Sequence, residues 1–597
     1  MFNFKKILAC TAAAIIAGTG STQISAFKPE IANAAPDEYH DDWLHVEGDK
    51  IVDMNGDEVW MTGCNWFGYN VGSQVFDGVW SVNMHDCLNA IADHGFNLLR
   101  VPMSTQILLQ WKNNEPDPII KVNEWKNPEL TVEGEIGGTI KYSFDIWNQA
   151  VEWCRENGIK IMMDIHSAST NAAGHNYALW YDPSYSTDDW LEALSWFADY
   201  YKDDDTVIAI DLKNEPHGKT DDGIFAKWDG SKDENNWRYA AERGAAACLE
   251  KNPNLLIMVE GIEVYPKFEE GEDWSSHSVD YTRYPWSPFY GAWWGANFRG
   301  VRDYPVDLGK YQSQLVYSPH DYGPEVYKQE WFYLEDESKT FSRQTLLDDY
   351  WYDTWAFLCE EHISPLLMGE WGGWVDDEHD KTGENRHWLQ EIRDYMIDKH
   401  IHHTFWCFNE NSSDTGGLVY DNFEKWDEVK YEFVKPALWQ DDNGKFISLD
   451  HTIPLGQAGN GISLSQHYSG GPSTPPTTTP KATTTTTTAA VTTTAPKDTE
   501  TTTTTTVTTT PKNTTTTTVT TLVTPVDVNY GDANCDKKID ISDVVLLKSW
   551  LLNSEKYSVS KEGLNNADVQ NVGNGVNNND IVAIQQFSLK LIDKLPV

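Results

Sequence analysis

Apolar runs with the length of strands alternate with amphipathic stretches with the length of helices over residues 35–460. The apolar runs predict strands that are buried on both faces, as in a parallel sheet. The predicted strand ends lie near Asn65, Arg100, His166, Glu215, Glu260, His320, Glu370 and Phe408. Eight strands with intervening helices predict an α/β fold, the (β/α)8 or TIM barrel.

Two of these apolar runs end at a glutamate. Residues 208–216 end in Asn214, Glu215 and Pro216, and residues 363–370 end in Glu370. A barrel collects the carboxyl ends of its strands on one rim, where burial can separate the pKa values of two carboxyl groups. Hydrolysis of a glycosidic bond uses such a pair. Either glutamate alone could equally be a solvated strand end or a helix cap, whereas the pair favours catalysis.

The N-terminal segment 1–34 has the pattern of a secretory signal peptide. Lys5 and Lys6 precede a short apolar stretch, and small residues follow, with possible cleavage after Ala26 or Ala34. The apolar stretch is too short to span a bilayer, so we expect a secreted, extracellular protein without membrane insertion.

Residues 461–525 are rich in Thr and Pro, a composition that cannot bury enough apolar surface to fold. This segment is therefore predicted to be a disordered, extended linker. It separates the large unit, 35–460, from a small C-terminal unit, 526–597. A chain of 597 residues is long enough for several such units.

The formal net charge of -46 argues against nucleic acids and anionic membranes as partners, because both are negatively charged. A neutral ligand is not repelled. The 27 Trp and 27 Tyr residues are typical either of sugar recognition by stacking or of a large aromatic core. The cysteines are widely spaced and show no metal-binding pattern, and their pairing stays open. No catalytic cofactor is expected.

Several motifs occur in the order found in one enzyme family. They are LLRVP at Arg100, DIH at His166, NEP at Glu215, SPHDY at His320, MGEWG at Glu370 and HTFWCFNENSSDTGG at Trp406. In these motifs the large unit resembles glycoside hydrolase family 5, the cellulase family. ALWY at 178–181, AWWGANFRG at 292–300 and SSDTGG at 412–417 are most similar to its bacterial endo-β-1,4-glucanases. The resemblance implies a secreted hydrolase of β-glucan polysaccharide (cellulose).

The resemblance also implies roles for the two glutamates. Glu215 would be the general acid/base, with a raised pKa, and Glu370 the nucleophile, held ionised. For this retaining mechanism the two carboxyl groups should lie about 5 to 5.5 Å apart.

The remaining motif residues would support these two. Arg100 is expected either to pair with Glu370 or to form a structural ion pair, and both interpretations can hold. Asn214 would bind the sugar 2-hydroxyl, and Asp164 is expected to be a buried structural acid. His166, His320 and Tyr322 would hold the carboxylates and the bound ring.

Trp406 resembles the family's platform beneath the sugar at the cleavage point. Further tryptophans could either stack on glucose rings or belong to the core, and both alternatives stay open. These are Trp66, Trp180, Trp293 and Trp294.

The small unit begins with the segment GDANCDKKIDISD, which has oxygen-bearing residues at the spacing of a calcium loop. The predicted calcium ligands are Asp532, Asn534, Asp536, Lys538 through its carbonyl, Asp540 and Asp543. A second copy, weaker because amides replace carboxylates, would use Asp568, Asn577 and Asp580. Two loop-helix repeats after a Thr-rich linker resemble an all-α dockerin. That resemblance implies binding to a cohesin domain of a scaffoldin in a cellulosome or at a cell surface.

Three alternatives stay open. The same barrel could act mainly on xyloglucan, mannan or xylan, because groove loops decide between polymers. The large unit could also be a non-catalytic carbohydrate-binding adaptor. The small unit could be a domain stabilised by calcium that has no partner.

Overall fold

The computed structural model describes residues 41–115, 121–278, 287–334 and 340–469. It also describes residues 529–535, 537–539, 541–552, 557–570, 572, 576, 578–588 and 594–596. The predicted signal peptide and most of the predicted linker lie outside these residues. The chain divides into two compact units, and the boundary lies between Thr479 and Pro480.

Eight parallel strands form the central sheet of the first unit. They are β1 (Thr62–Asn65), β2 (Leu98–Ser104), β3 (Lys160–Ser167), β4 (Val207–Asp211), β5 (Leu256–Val259), β6 (Leu315–Tyr317), β7 (Leu367–Trp371) and β8 (His402–Phe405). Their hydrogen-bonded order is β6-β5-β4-β3-β2-β1-β8-β7. Parallel bridges from Tyr317 to Leu366 and from His320 to Glu370 join β6 to β7. The sheet is thereby nearly closed, and the predicted (β/α)8 barrel is confirmed.

Helices connect the strands and cover the barrel. They are α1 (Met84–Asp93), α2 (Thr105–Asn113), α3 (Ser143–Glu156), α4 (Thr187–Tyr200), α5 (Trp237–Leu249), α6 (Arg343–Leu346), α7 (Phe357–Glu360), α8 (Glu384–Lys399), α9 (Glu428–Val434) and α10 (Leu464–Ser469). A π-helical segment, Leu347–Ala356, makes α6 and α7 continuous. Short 3-10 turns occupy Pro128–Leu130, Gly174–Asn176, Thr220–Asp222, Phe268–Glu270, Arg299–Arg302, Gly309–Gln314, Glu330–Phe332 and Lys435–Ala437.

Four pairs of short strands lie outside the eight-stranded sheet. Three are antiparallel: His45–Glu47 with Lys50–Val52, Val264–Pro266 with Phe289–Gly291, and Val419–Tyr420 with Lys425–Trp426. The fourth, Phe446–Ile447 with Gly461–Ile462, is parallel. Because this last strand and α10 follow residue 460, the folded unit extends to Ser469. The predicted boundary at 460 was therefore too early.

Local sequence explains how these elements form. Helix α4 begins with a capping box, in which the Ser186 hydroxyl accepts from the Asp189 N–H and the Asp189 carboxylate accepts from the Ser186 N–H. Along α3, Ile146, Ala150 and Cys154 are buried, which is the spacing of one helix face. The residues of β2 and β3 are buried throughout, as expected for strands covered on both faces.

The seven described cysteines are free thiols. Within the described residues, no helix combines the length and the apolar character needed to cross a membrane.

The C-terminal unit contains α11 (Ile541–Leu552), α12 (Lys561–Ala567) and α13 (Asn578–Ser588). Its small core includes Val544, Leu547, Val569, Ile581 and Ile584. Helices α11 and α13 follow the two predicted calcium loops, and α12 lies between them at residues where no helix was predicted.

Three of the predicted calcium ligands are buried carboxylates, Asp532, Asp543 and Asp580. Asp543 Oδ1 accepts a hydrogen bond from the Asn534 N–H at 3.0 Å, and Asp580 Oδ1 accepts from the Gln570 N–H at 2.8 Å. Each loop therefore folds back onto the carboxylate of the helix that follows it. Lys538 and Asp568 are also described, whereas Asp536, Asp540 and Asn577 lie outside the described residues.

A buried charge cluster ties the two ends of the first unit to the barrel. Lys160 Nζ, at the start of β3, lies 2.6 Å from Asp42 Oδ2 and 3.4 Å from Asp450 Oδ2. His451 Nδ1 lies 2.5 Å from Asp42 Oδ1, and His451 Nε2 lies 2.8 Å from Asp53 Oδ2. A neutral imidazole has one N–H, so it can donate to only one of these carboxylates. The geometry is that of an imidazolium.

Replacement of His451 should therefore give a pH-dependent loss of stability. Burial lowers the pKa of His451, but Asp42 and Asp53 outweigh burial and raise it above its ordinary value. The stabilisation is thus complete below about pH 6.5 and is lost as the pH rises through the raised pKa. We expect His451→Leu to lower the free energy of unfolding by about 2 to 3 kcal/mol near pH 6.

Urea unfolding of both proteins between pH 5.5 and 9 measures this effect. The difference between parent and variant should shrink steadily toward high pH. A difference that is constant over this range would contradict the imidazolium assignment. Asp53→Asn, which removes one of the two negative charges that raise the pKa of His451, should flatten the pH dependence of the difference.

Candidate active site

A cleft of about 2130 Å³ opens at the carboxyl ends of the barrel strands. The predicted site residues that line it are His166, Asn214, Glu215, Tyr322, Glu370 and Trp406. Arg100 and His320 are completely buried and contact the two glutamates. The structure therefore brings together, at one rim, residues that are far apart in the sequence.

Glu215 lies four residues beyond the end of β4, and its backbone has a φ of 52°. This left-handed conformation is uncommon for a residue with a side chain and occurs often at functional sites. The Glu215 N–H donates to Glu260 Oε2 at 2.8 Å, which holds the strained turn. Burial, followed by the charge of Glu370, raises the pKa of Glu215 well above its ordinary value.

Glu370 lies within β7 and has different partners. Arg100 Nη1 donates to Glu370 Oε1 at 2.8 Å, and the Tyr322 hydroxyl donates to Glu370 Oε2 at 2.6 Å. Burial raises the pKa of Glu370 above its ordinary value, and Arg100, His166 and the Tyr322 hydroxyl offset this rise only in part. Glu370 thus accepts hydrogen bonds from a cation and a hydroxyl group, which favour its charged form. The described side-chain hydrogen bond of Glu215 is to His320 instead, and Lys213 and Arg100 lower its raised pKa only in part.

One carboxylate oxygen of Glu215 and one of Glu370 lie within 4.8 Å of each other and of a ring nitrogen of His320. The two acids are therefore close enough to act on one bond. Asp211, Glu260 and His320 form a second cluster of this kind. Both clusters have donor atoms suited to a metal ion, but the Arg100 guanidinium already supplies positive charge to Glu370 and Asp211.

Arg100 serves both predicted purposes. Besides Glu370, its guanidinium contacts Asp211 Oδ2 through Nη2 at 2.9 Å and through Nε at 3.1 Å, and Asp164 Oδ2 through Nη2 at 3.3 Å. It also donates to the Asn214 side-chain oxygen at 3.1 Å. Asn214 is thereby held at the rim. Asp164 is buried, as predicted for a structural acid.

His320 lies among three acids, Glu215, Glu260 and Glu370. Its Nδ1 lies 3.1 Å from Glu215 Oε1, and its Nε2 lies 3.2 Å from Glu260 Oε1. Burial, together with the nearby Arg100, lowers the pKa of His320 well below its ordinary value, so the ring is neutral. Of these two contacts, only the one between Nδ1 and Glu215 has the geometry of a hydrogen bond. Burial raises the pKa values of both Glu215 and Glu260 well above their ordinary value.

His166 and Trp406 form one wall of the site. The rings are stacked with centroids 5.7 Å apart and an angle of 8° between their planes. His166 Nδ1 is hydrogen-bonded to Asp164 Oδ2 at 2.7 Å, and Trp406 Nε1 donates to the Ser412 hydroxyl at 3.2 Å. The indole is thus held by His166, by Phe67, which also stacks with it, and by Ser412, and it lines the cleft.

Of the other four candidate tryptophans, two line the cleft and two belong to the core. Trp293 and Trp294 line the cleft, where Trp294 stacks on His217 with centroids 3.8 Å apart. Trp66 and Trp180 do not reach it, so their prediction as substrate-binding residues is wrong. Trp66 is completely buried, stacks on Phe76 and donates to the Asp77 carbonyl. Trp180 is 1% exposed and donates to the Thr187 hydroxyl.

Three polar residues of the site, Glu260, Asn65 and Lys213, were not predicted from the sequence. Glu260 was noted only as a strand end, although it contacts Glu215, Arg100 and His320. Asn65 accepts a hydrogen bond from Arg100 at 3.0 Å at the end of β1. Their positions at strand ends were a usable signal. Lys213, buried beneath the rim, gave no signal because its neighbours in the sequence do not reveal its burial.

Comparisons with known proteins agree with this site. The family model Cellulase (glycosyl hydrolase family 5) matches residues 52–412. Endoglucanase G of Acetivibrio thermocellus is 50% identical over 466 residues, which cover 75% of this chain and 79% of the relative. Endoglucanase B of the same organism is 41% identical over 543 residues, covering 87% of each.

Among solved structures, the endocellulase from Pyrococcus horikoshii superposes with a TM-score of 0.56 and 30% identity. The match covers 66% of this chain and 98% of that structure. The family model spans more than half of the chain, including Arg100, Glu215, Glu370 and Trp406. The chain belongs to glycosyl hydrolase family 5, the cellulase family, and is a glycosidase.

Proposed function

We propose that this chain is a retaining endo-β-1,4-glucanase that hydrolyses internal bonds of cellulose by double displacement. The observation that carries the proposal is the pair of close carboxyl groups with unequal surroundings, Glu215 and Glu370. Their oxygens lie within 4.8 Å of each other, which fits the close spacing of a retaining pair and leaves little room for a water molecule between them.

In the first step, protonated Glu215 donates its proton to the glycosidic oxygen while Glu370 attacks the anomeric carbon. The bond to the leaving sugar breaks, and a covalent glycosyl-enzyme forms on Glu370. Arg100 and Tyr322 support this role because they favour the charged form of Glu370 before attack. Asn214, fixed by Arg100, is placed to contact the sugar 2-hydroxyl.

In the second step, Glu215 acts as a base. Esterification of Glu370 removes the negative charge that helps to raise the pKa of Glu215, so this pKa falls. Ionised Glu215 then takes a proton from water as the water oxygen attacks the anomeric carbon and Glu370 leaves. Two displacements return the anomeric carbon to its original configuration.

The extent of the cleft favours a long neutral substrate. It continues from the acids to loops that carry Trp80 and Lys121 and to loops that carry Tyr327 and Tyr333. The names of both Acetivibrio relatives, and the Pyrococcus endocellulase structure solved with cellotetraose, favour β-1,4-glucan as the polymer.

We also propose the predicted organisation, with a signal peptide at 1–34, a secreted barrel, a linker to 525 and a C-terminal dockerin. The match to endoglucanase B covers 87% of this chain, more than the barrel alone. Buried Asp532 and Asp543 with their loop hydrogen bonds support calcium as the ion of the first repeat. Calcium would fix this loop and the start of α11, and so prepare the helices for a cohesin.

The catalytic proposal is tested by release of reducing sugar from β-1,4-glucan, xyloglucan, mannan and xylan. We expect the highest rate on β-1,4-glucan. Glu370→Ala should abolish the rate on every polymer, and Glu215→Ala should reduce it by about 10²- to 10⁴-fold, as for loss of a general acid. Tyr352→Phe, at an exposed position outside the cleft lining, is the matched control. A preference for xylan or mannan would contradict the polymer assignment, and undiminished activity of Glu370→Ala would contradict the mechanism.

The dockerin proposal predicts calcium-dependent capture of the full-length chain by an immobilised cohesin. A chelator should abolish capture while hydrolysis of soluble β-glucan continues unchanged. The double variant Asp532→Ala and Asp543→Ala should behave in calcium as the parent does in chelator. Equal capture with and without chelator would contradict the role of calcium, and lack of capture in calcium would contradict the partner.

A further inference from the structure

Trp125 differs from the other described tryptophans. Its side chain is 68% exposed, whereas the others are buried or half-buried. Exposure of a large apolar ring to water is unfavourable in free energy. An exposed indole can therefore indicate a binding site, and its surroundings show which kind. Trp125 does not line the catalytic cleft.

One face of the Trp125 ring rests on backbone. A methyl group placed on Gly137 would lie 3.4, 3.6 and 3.8 Å from the adjacent ring atoms Cζ2, Cε2 and Cη2. Such similar distances describe a point above the ring, because a point beyond its edge would be clearly farther from the two flanking atoms. Gly137 therefore supports one face, and the exposed fraction of the side chain belongs largely to the other.

The segment that carries Trp125 is anchored to the wall of the cleft. The Asn123 N–H donates to the Val79 carbonyl at 3.1 Å, and Asn123 Nδ2 donates to the Trp80 carbonyl at 3.2 Å. The Asn123 side-chain oxygen accepts from the Trp125 N–H at 3.0 Å. Trp80 and Lys121 line the cleft. The backbone that carries the indole is thus anchored to residues at the margin of the cleft.

We propose that Trp125 is a stacking platform for a β-glucan chain that extends beyond the catalytic cleft. The inference rests on the proposed endoglucanase function. A flat apolar ring with one supported face and one open face matches the apolar face of a glucose ring. The strongly negative protein does not repel this neutral ligand. A protein partner is the competing occupant, because Val132 and Ile136 on the same loop are also exposed.

The test uses full-length Trp125→Ala, with Trp125→Tyr as the conservative variant and Val132→Ala as the matched control. Val132 is 66% exposed on the same loop but has no ring. For Trp125→Ala we expect the KM for swollen cellulose to rise about fivefold, the size of one lost stacking contact. Its kcat on the shortest cello-oligosaccharide that the parent cleaves should stay unchanged. Trp125→Tyr should recover most of the affinity, and Val132→Ala should match the parent.

Retardation in a native gel that contains soluble β-glucan measures binding without hydrolysis. In a Glu370→Ala background, Trp125→Ala should migrate faster than its parent. This result would support the platform even if the polymer panel overturned the proposed activity. Equal retardation and equal KM would overturn the platform. An equal loss in Val132→Ala would also overturn it in favour of a general apolar surface, as would an equal loss on short and long substrates.

Discussion

The site depends on the buried guanidinium of Arg100. A lone charge in this position would lose several kcal/mol of solvation, and it is stable only because carboxylates surround it. Asp211, Asp164 and Glu370 contact it from β4, β3 and β7, while Arg100 itself lies on β2. The same contacts cross the interior of the barrel. The interaction that links these strand ends is therefore also the one that favours the charged form of Glu370.

This arrangement makes two chemically identical side chains different. Glu370 lies against a cation and a phenol hydroxyl, whereas Glu215 lies against a neutral histidine and near a second acid, Glu260. The parallel bridge between His320 and Glu370 belongs to the contacts that join β6 to β7. Closure of the barrel thus places the neutral histidine between the two glutamates. The fold and the division of roles come from one set of contacts.

The regular pattern of apolar strands with polar ends could be predicted from the sequence. Side-chain contacts between residues that are distant in the sequence could not. Buried strands that end in polar residues revealed the barrel, its rim and both glutamates, because strand direction alone determines where those residues meet. The choice between core and cleft stayed open for Trp66 and Trp180 because an indole looks the same in a sequence whether it packs on Phe76 or faces a cleft. Glu260 was visible as a strand end, but its contacts with Glu215 and His320 arise only because β5 lies between β4 and β6. The boundary at 460 failed because a short strand and helix continue past it.

The central claim is that Glu370 forms the covalent intermediate while Glu215 handles the proton. Its most direct test is a 2-deoxy-2-fluoro-β-cellobioside with a dinitrophenyl leaving group, which forms the glycosyl-enzyme readily and hydrolyses slowly. Mass spectrometry of the digested protein should find one sugar per chain, attached at Glu370. A label on Glu215 or another residue, or turnover with inverted configuration and no label, would contradict the account.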